Sequence, residues 1–206
     1  MNKLAAVSAT VAIAALVGGI WYVTAPRGGG DVFADCRTTR VAGGDAAIGG
    51  PFELVNGQGE TVTDADVITG PTLIYFGYTF CPDICPLDNV RNADAVDLLE
   101  DRGYMVTPVF ISIDPARDTP DVMADYAANM HPRMIGLTGN DAQVKAASQA
   151  YRTYYRAQPA EDEFYLVDHS TFTYFVLPEH GFVEYFRREL PAEELADRMA
   201  CFLDKV

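Results

Sequence analysis

Residues 71–86 read PTLIYFGYTFCPDICP, an apolar and β-branched run that delivers two cysteines, Cys81 and Cys85, each followed directly by proline. The run is long enough for a buried central strand. A residue before proline is pushed from helical toward extended angles. The two thiols are therefore expected on a loop, with Pro86 as the first residue of the helix that follows. A helix N-terminus at the cysteines favours thiolate over thiol. Thiolate is both nucleophile and metal ligand, so redox and metal chemistry stay open at this point. A plain Cys81–Cys85 disulfide is the third reading, but so short a loop takes little entropy from the unfolded chain.

Outward from this loop the pattern alternates. Upstream, PFELVNGQGETVT reads as a hairpin around Asn56-Gly57. Downstream, residues 87–102 have helical composition and a stop at Gly103. YMVTPVFISID is a second buried strand. Thr119 and Pro120 cap and open a helix with Met123, Tyr126, Ala127 and Met130 on one face. MIGLTGN is a short strand and turn, and Asn140 with Gln143 forms a capping box for a helix over 141–151. TFTYFVLPEHGFVEYF reads as a hairpin, and a last helix from Pro191 turns Leu195, Met199 and Phe202 inward. The sum is an α/β sandwich with helices on both faces. A strand delivering a two-cysteine loop to a helix is the thioredoxin arrangement, although three residues separate the cysteines here where thioredoxins have two.

The N-terminus is a separate matter. LAAVSATVAIAALVGGIWYV, Leu4 to Val23, carries no charge and is about long enough for a helix to cross the roughly 30 Å hydrocarbon core. A cleaved signal peptide is the rival reading. Lys3 before the span favours an orientation with the remainder outside the cytoplasm. The expected organisation is an anchor over 1–25, a glycine-rich linker over 26–45 and one domain over 46–206. The net charge of −14 excludes nucleic acid as a partner, because nothing would neutralise phosphates.

YFGYTFCPDICP, SIDPARDTP and VDHSTFTYFVLPEHG together resemble the Sco/SenC family of copper-binding, membrane-anchored, thioredoxin-like proteins. The resemblance implies copper ligation by Cys81, Cys85 and His169, in both the Cu(I) and Cu(II) states. Two thiolates suit the soft Cu(I), and an imidazole lets the same site hold Cu(II). It also implies delivery of copper to the copper-binding subunit of cytochrome c oxidase, or reduction of that subunit's cysteines. The further partners implied are a thiol reductant that reopens the redox-active Cys81–Cys85 pair, another copper chaperone, and the bacterial inner membrane, with the soluble domain in the periplasm.

The alternative is an enzyme, a periplasmic thiol–disulfide oxidoreductase or redox signalling protein using the same pair. Peroxide chemistry, which requires an activated cysteine beside an arginine, is a third reading. VITGP departs from relatives that carry a lysine before the central strand, and the hairpin turn carries His180.

Asp168 should point away from the site, because neighbours on a strand alternate. Asp83 reads as a turn residue, His131 and His180 as surface residues, and DPARDTP as turn and cap chemistry that could rim the cysteine loop. For Cys36 and Cys201 in an exported protein, a mutual bridge is the economical reading and two free thiols the alternative.

Overall fold

The computed structural model describes residues 31–39, 48–159 and 164–206, with Ile13, Ala15, Leu16 and Gly19 as isolated helical positions. The remainder of the expected anchor lies outside the described residues, as does much of the linker. Among the described residues no helix is long and apolar enough to cross a membrane. The chain divides into two units, residues 1–34 and 35–206, and the second holds the site.

PTLIYF becomes strand β3 (Thr72–Gly77), buried at every position. The central place of β3 follows from its sequence, since only a strand covered on both faces can be apolar throughout. It stands in a seven-stranded sheet of order β2-β1-β5-β4-β3-β8-β9. The flanking strands are β1 (Glu53–Asn56), β2 (Thr61–Thr63), β4 (Thr107–Ser112), β5 (Ile135–Thr138), β8 (Thr173–Leu177) and β9 (Gly181–Phe186). β3, β4 and β5 run parallel, while β8 pairs antiparallel with β3. The β1–β2 hairpin turns where Asn56-Gly57 indicates: Asn56 Oδ1 accepts from the Gln58 and Glu60 amides, and Gly59 takes a positive φ of 78°.

Among the described residues five helices accompany the sheet: α1 (Asp64–Val67), α2 (Ile84–Glu100), α3 (Pro120–Met130), α4 (Asp141–Ala150) and α5 (Ala192–Leu203). Leu73, Tyr75, Phe110 and Phe175 share one face of the sheet through the pairs Tyr75↔Phe110 and Leu73↔Phe175. On that face Tyr75 bonds to Asp88 of α2, Phe110 stacks on Tyr126 of α3 at 4.6 Å, and Phe175 meets Phe202 of α5 at 6.0 Å. Gly136 of β5 is what lets α3 lie so close: a Cβ there would come within 2.5 Å of the Met123 carbonyl oxygen. On the other face Phe76 and Tyr174 pack on Tyr151 at the end of α4, at 5.5 and 5.4 Å. Three helices therefore cover one face and one covers the other, the expected sandwich. Each such fully buried ring contributes about 2–3 kcal/mol of transfer free energy, an upper figure before ordering costs.

The local signals are realised closely. Asn140 and Gln143 form the capping box, and Thr119 Oγ1 accepts from the Val122 amide. Leu195, Met199 and Phe202 are fully buried. Two expectations need correction. α2 begins at Ile84, so Cys85 lies inside its first turn and not on the loop. Pro86 is tolerated there because the amides of the first turn have no intrahelical acceptor to lose. His131 is only 4 % exposed: its Nδ1 accepts from the Arg133 amide at 3.0 Å, leaving Nε2 to donate to Asp97 at 3.1 Å. VDHS lies on a later strand, as expected, in a separate two-stranded ribbon of β7 (Val167–His169) against β6 (Tyr155–Ala157). His180 is exposed, as expected.

Candidate metal centre

β3 ends at Gly77, and the glycine is a matter of space. A Cβ there would stand 2.9 Å from Cys85 Sγ and 2.8 Å from the Phe110 ring. The chain then turns, with the Cys81 amide donating to the Tyr78 carbonyl at 3.3 Å, and enters α2 through Asp83. Cys81 is half-buried and Cys85 fully buried, and both are free thiols.

The helix start points its amides at the first sulfur: Cys85 N–H donates to Cys81 Sγ at 3.3 Å. A hydrogen bond from the Cys85 thiol, aided by the Cys85 and Asp83 amides, pulls the Cys81 pKa down to about 4 against the opposing effect of burial. Cys85 is pushed well above the ordinary thiol range, first because its proton is held by Cys81 and then by burial. The reduced pair thus shares one proton, with Cys81 as thiolate and Cys85 as thiol.

His169 arrives from β7. Its Nδ1 lies 2.8 Å from the Ser170 carbonyl, which can only accept, so Nδ1 carries the proton and Nε2 presents its lone pair. Nε2 stands 3.3 Å from Cys85 Sγ. The edge-on rings of Tyr75 and Tyr78, at 6.3 and 5.9 Å, bracket the imidazole. The ligand atoms of Cys81, Cys85 and His169 all lie within 4.8 Å of one another. Metal–ligand bonds of about 2.0–2.3 Å separate ligand atoms by roughly 3.5–4 Å, so the group could hold an ion after only a small contraction. Among the described residues no fourth Cys, His, Asp or Glu joins it. Asp168 faces away, as its place on the strand requires, and accepts from Gln158 at 2.7 Å.

DPARDTP does more than rim the loop. Fully buried Asp118 accepts from the Thr79 amide and hydroxyl, at 3.1 and 2.5 Å, and from the Ser112 hydroxyl at 2.6 Å. Burial raises its pKa against the pull of those bonds. Arg117 bonds to Asp114 at 2.5 Å and to the Tyr165 carbonyl at 3.0 Å. Sequence reasoning missed these contacts, along with Tyr75, Tyr78 and Ser170 around the imidazole. The one available signal is that adjacent parallel strands end on the same side, which puts the turn after β4 beside the cysteine loop.

The SCO1/SenC family model matches residues 40–204. The chain belongs to the SCO1/SenC family. This SCO1/SenC chain is 51% identical over 203 residues to Protein SenC of Rhodobacter capsulatus, covering 98% of itself and 91% of that protein. It is 40% identical over 160 residues to the human mitochondrial SCO1 homolog, covering 76% of itself and 53% of that protein, so it spans about half of that relative. The crystal structure of Arabidopsis thaliana ScoI with copper bound matches at a TM-score of 0.74 and 40% identity, over 78% of this chain and 100% of that one. Yeast Sco1 with copper bound matches at 0.73 and 35%, over 78% of this chain and 90% of that one. The thioredoxin-like Sco fold is therefore shared.

Proposed function

We infer that this protein is a copper metallochaperone, held at the bacterial inner membrane by residues 1–25, with its soluble domain in the periplasm. Cys81, Cys85 and His169 bind the copper, which passes to the copper-binding subunit of cytochrome c oxidase. The observation that carries this reading is the convergence of two sulfurs and a correctly tautomerised imidazole nitrogen within 4.8 Å. Copper in the Arabidopsis and yeast relatives supports the choice of cargo. The donor set agrees: two sulfurs and one nitrogen suit copper, whereas structural zinc asks for four protein ligands.

Binding needs both thiols reduced, so a thiol reductant must first open any Cys81–Cys85 disulfide. Cys81 offers a ready thiolate, and Cys85 gives up its proton as the ion enters. Half-exposed Cys81 is the ligand an incoming thiol can displace, which provides a route for hand-over to the oxidase subunit or from another copper chaperone.

Titration of the reduced full-length protein with copper, read by thiolate-to-metal absorbance, tests the reading. One equivalent is expected to saturate the site. His169→Ala should weaken Cu(II) binding by at least about tenfold while thiol alkylation persists. Unchanged copper affinity in that variant would remove the imidazole from the site.

A second reading draws on the asymmetry of the pair. A half-buried, acidic Cys81 beside a fully buried Cys85 suits thiol–disulfide exchange. Cys81 thiolate would attack a partner disulfide and form a mixed disulfide. Cys85 would then displace the partner's second thiolate, leaving a Cys81–Cys85 disulfide and a reduced partner. This exchange does not need His169, so the same variant separates the two roles.

A further inference from the structure

We propose that Arg117 is a positioning residue for His169, its guanidinium locking the segment that leads into the imidazole strand against the cysteine loop. The inference rests on the metal-binding reading above. Three pieces of chain distant in sequence meet on this one side chain. Its Nε bonds to Asp114 Oδ2 at 2.5 Å, and Nη1 donates to the Tyr165 carbonyl at 3.0 Å. The guanidinium carbon lies 3.6 Å over the Tyr165 ring, 4.9 Å from that of Phe80 and 5.6 Å from that of Tyr78. The Tyr165 hydroxyl closes the ring of contacts by donating to Asp114 Oδ1 at 2.6 Å.

Tyr78 and Phe80 lead directly into Cys81, whereas Tyr165 stands two residues before β7. Among the described residues β7 pairs with β6 alone and stands apart from the main sheet. Besides that ribbon, β7 is tied to the loop by the Val167 amide, which donates to the Tyr78 hydroxyl at 3.3 Å. Arg117 reinforces this same junction. Its role requires a planar cation that can stack and donate sideways together, which an ammonium cannot do.

The test compares the full-length protein with Arg117→Lys, loaded with Cu(II) and read by charge-transfer absorbance and electron paramagnetic resonance. Losing an outer partner that orients a ligand should weaken Cu(II) binding by about 10–100-fold and shift the nitrogen hyperfine pattern. Cu(I), held mainly by the two sulfurs, should change far less. In the metal-free reduced protein the Val167 amide should exchange its hydrogen faster. If Arg117→Lys does not fold, Tyr165→Leu removes the stacked ring instead and should reproduce the loss, with Tyr165→Phe retaining wild-type spectra. A lowered melting temperature with an unaltered Cu(II) spectrum and affinity would overturn the proposal, leaving Arg117 a stabilising residue only. If the wild-type protein binds no copper, the metal reading falls by itself. Val167 exchange then decides the role of Arg117, with an unchanged rate overturning it.

Discussion

Cys81 and Cys85 differ more than their shared motif suggests. Cys81 in the folded, reduced protein titrates near 4, chiefly because the Cys85 thiol donates to it, whereas an unperturbed thiol titrates at about 8.5. The folded value is the lower one. The interaction therefore stabilises the reduced fold fully above about pH 8.5, weakens as pH falls below that, and is lost as pH passes through 4. Cys85 keeps its proton throughout this window and adds no slope of its own. Iodoacetamide labelling followed by mass spectrometry should find Cys81 reacting near its plateau rate already at pH 6, with Cys85 protected. A midpoint near the ordinary thiol value would remove the shared proton. The two cysteines are legible in sequence, since strand, prolines and helix start are all local. Their inequality is not, because it depends on Gly77 making room for the Cys85 sulfur and on the fold burying that sulfur more deeply than Cys81.

Between elements, a few buried polar groups connect loops that the sheet alone would leave independent. Asp118 joins the turn after β4 to the cysteine loop, and its backbone carbonyl accepts from Thr138 of β5 at 2.7 Å. Asp118→Ala would leave the Thr79 amide and both hydroxyls without their acceptor, at a cost of about 3 kcal/mol. Urea denaturation of the reduced protein measures this, and a loss within about 0.5 kcal/mol, the range of ordinary surface changes, would show that the carboxylate is dispensable. Elements with local signals are readable from the chain: the Asn140–Gln143 capping box, Pro120 opening α3, the stripe of α5. His131 escapes such reading because its burial is decided by Asp97 on another helix. The β6–β7 ribbon escapes because two three-residue strands carry no periodicity worth the name.

At the scale of the whole molecule, a disulfide joins Cys36 to Cys201 across 165 residues, with Cα atoms 5.7 Å apart. The economical pairing of the two remaining cysteines is the one found. Nearby, Thr38 and Thr39 donate to buried Glu184 of β9, and Arg198 of α5 bonds to the Thr38 hydroxyl at 2.5 Å, so the strap before the hairpin is held at several points. In the chain-entropy treatment a loop of this length contributes about 5 kcal/mol. A Cys36→Ser, Cys201→Ser double variant should lose up to that amount in thermal or urea unfolding while keeping the wild-type copper spectrum. Altered copper binding in it would mean that the bridge and the metal centre are coupled.

That bridge also constrains how the polypeptide is made. A chain emerging from its N-terminus exposes Cys36, then Cys81 and Cys85, long before Cys201 exists. In an oxidising compartment the first thiols to meet are the adjacent pair, which must later be reopened for use. Cys36 meanwhile has only wrong mates within reach. The Cys36–Cys201 bridge can close only once Cys201 has emerged, whereas a Cys81–Cys85 ring closed before then takes a thiol reductant, not shuffling, to reopen.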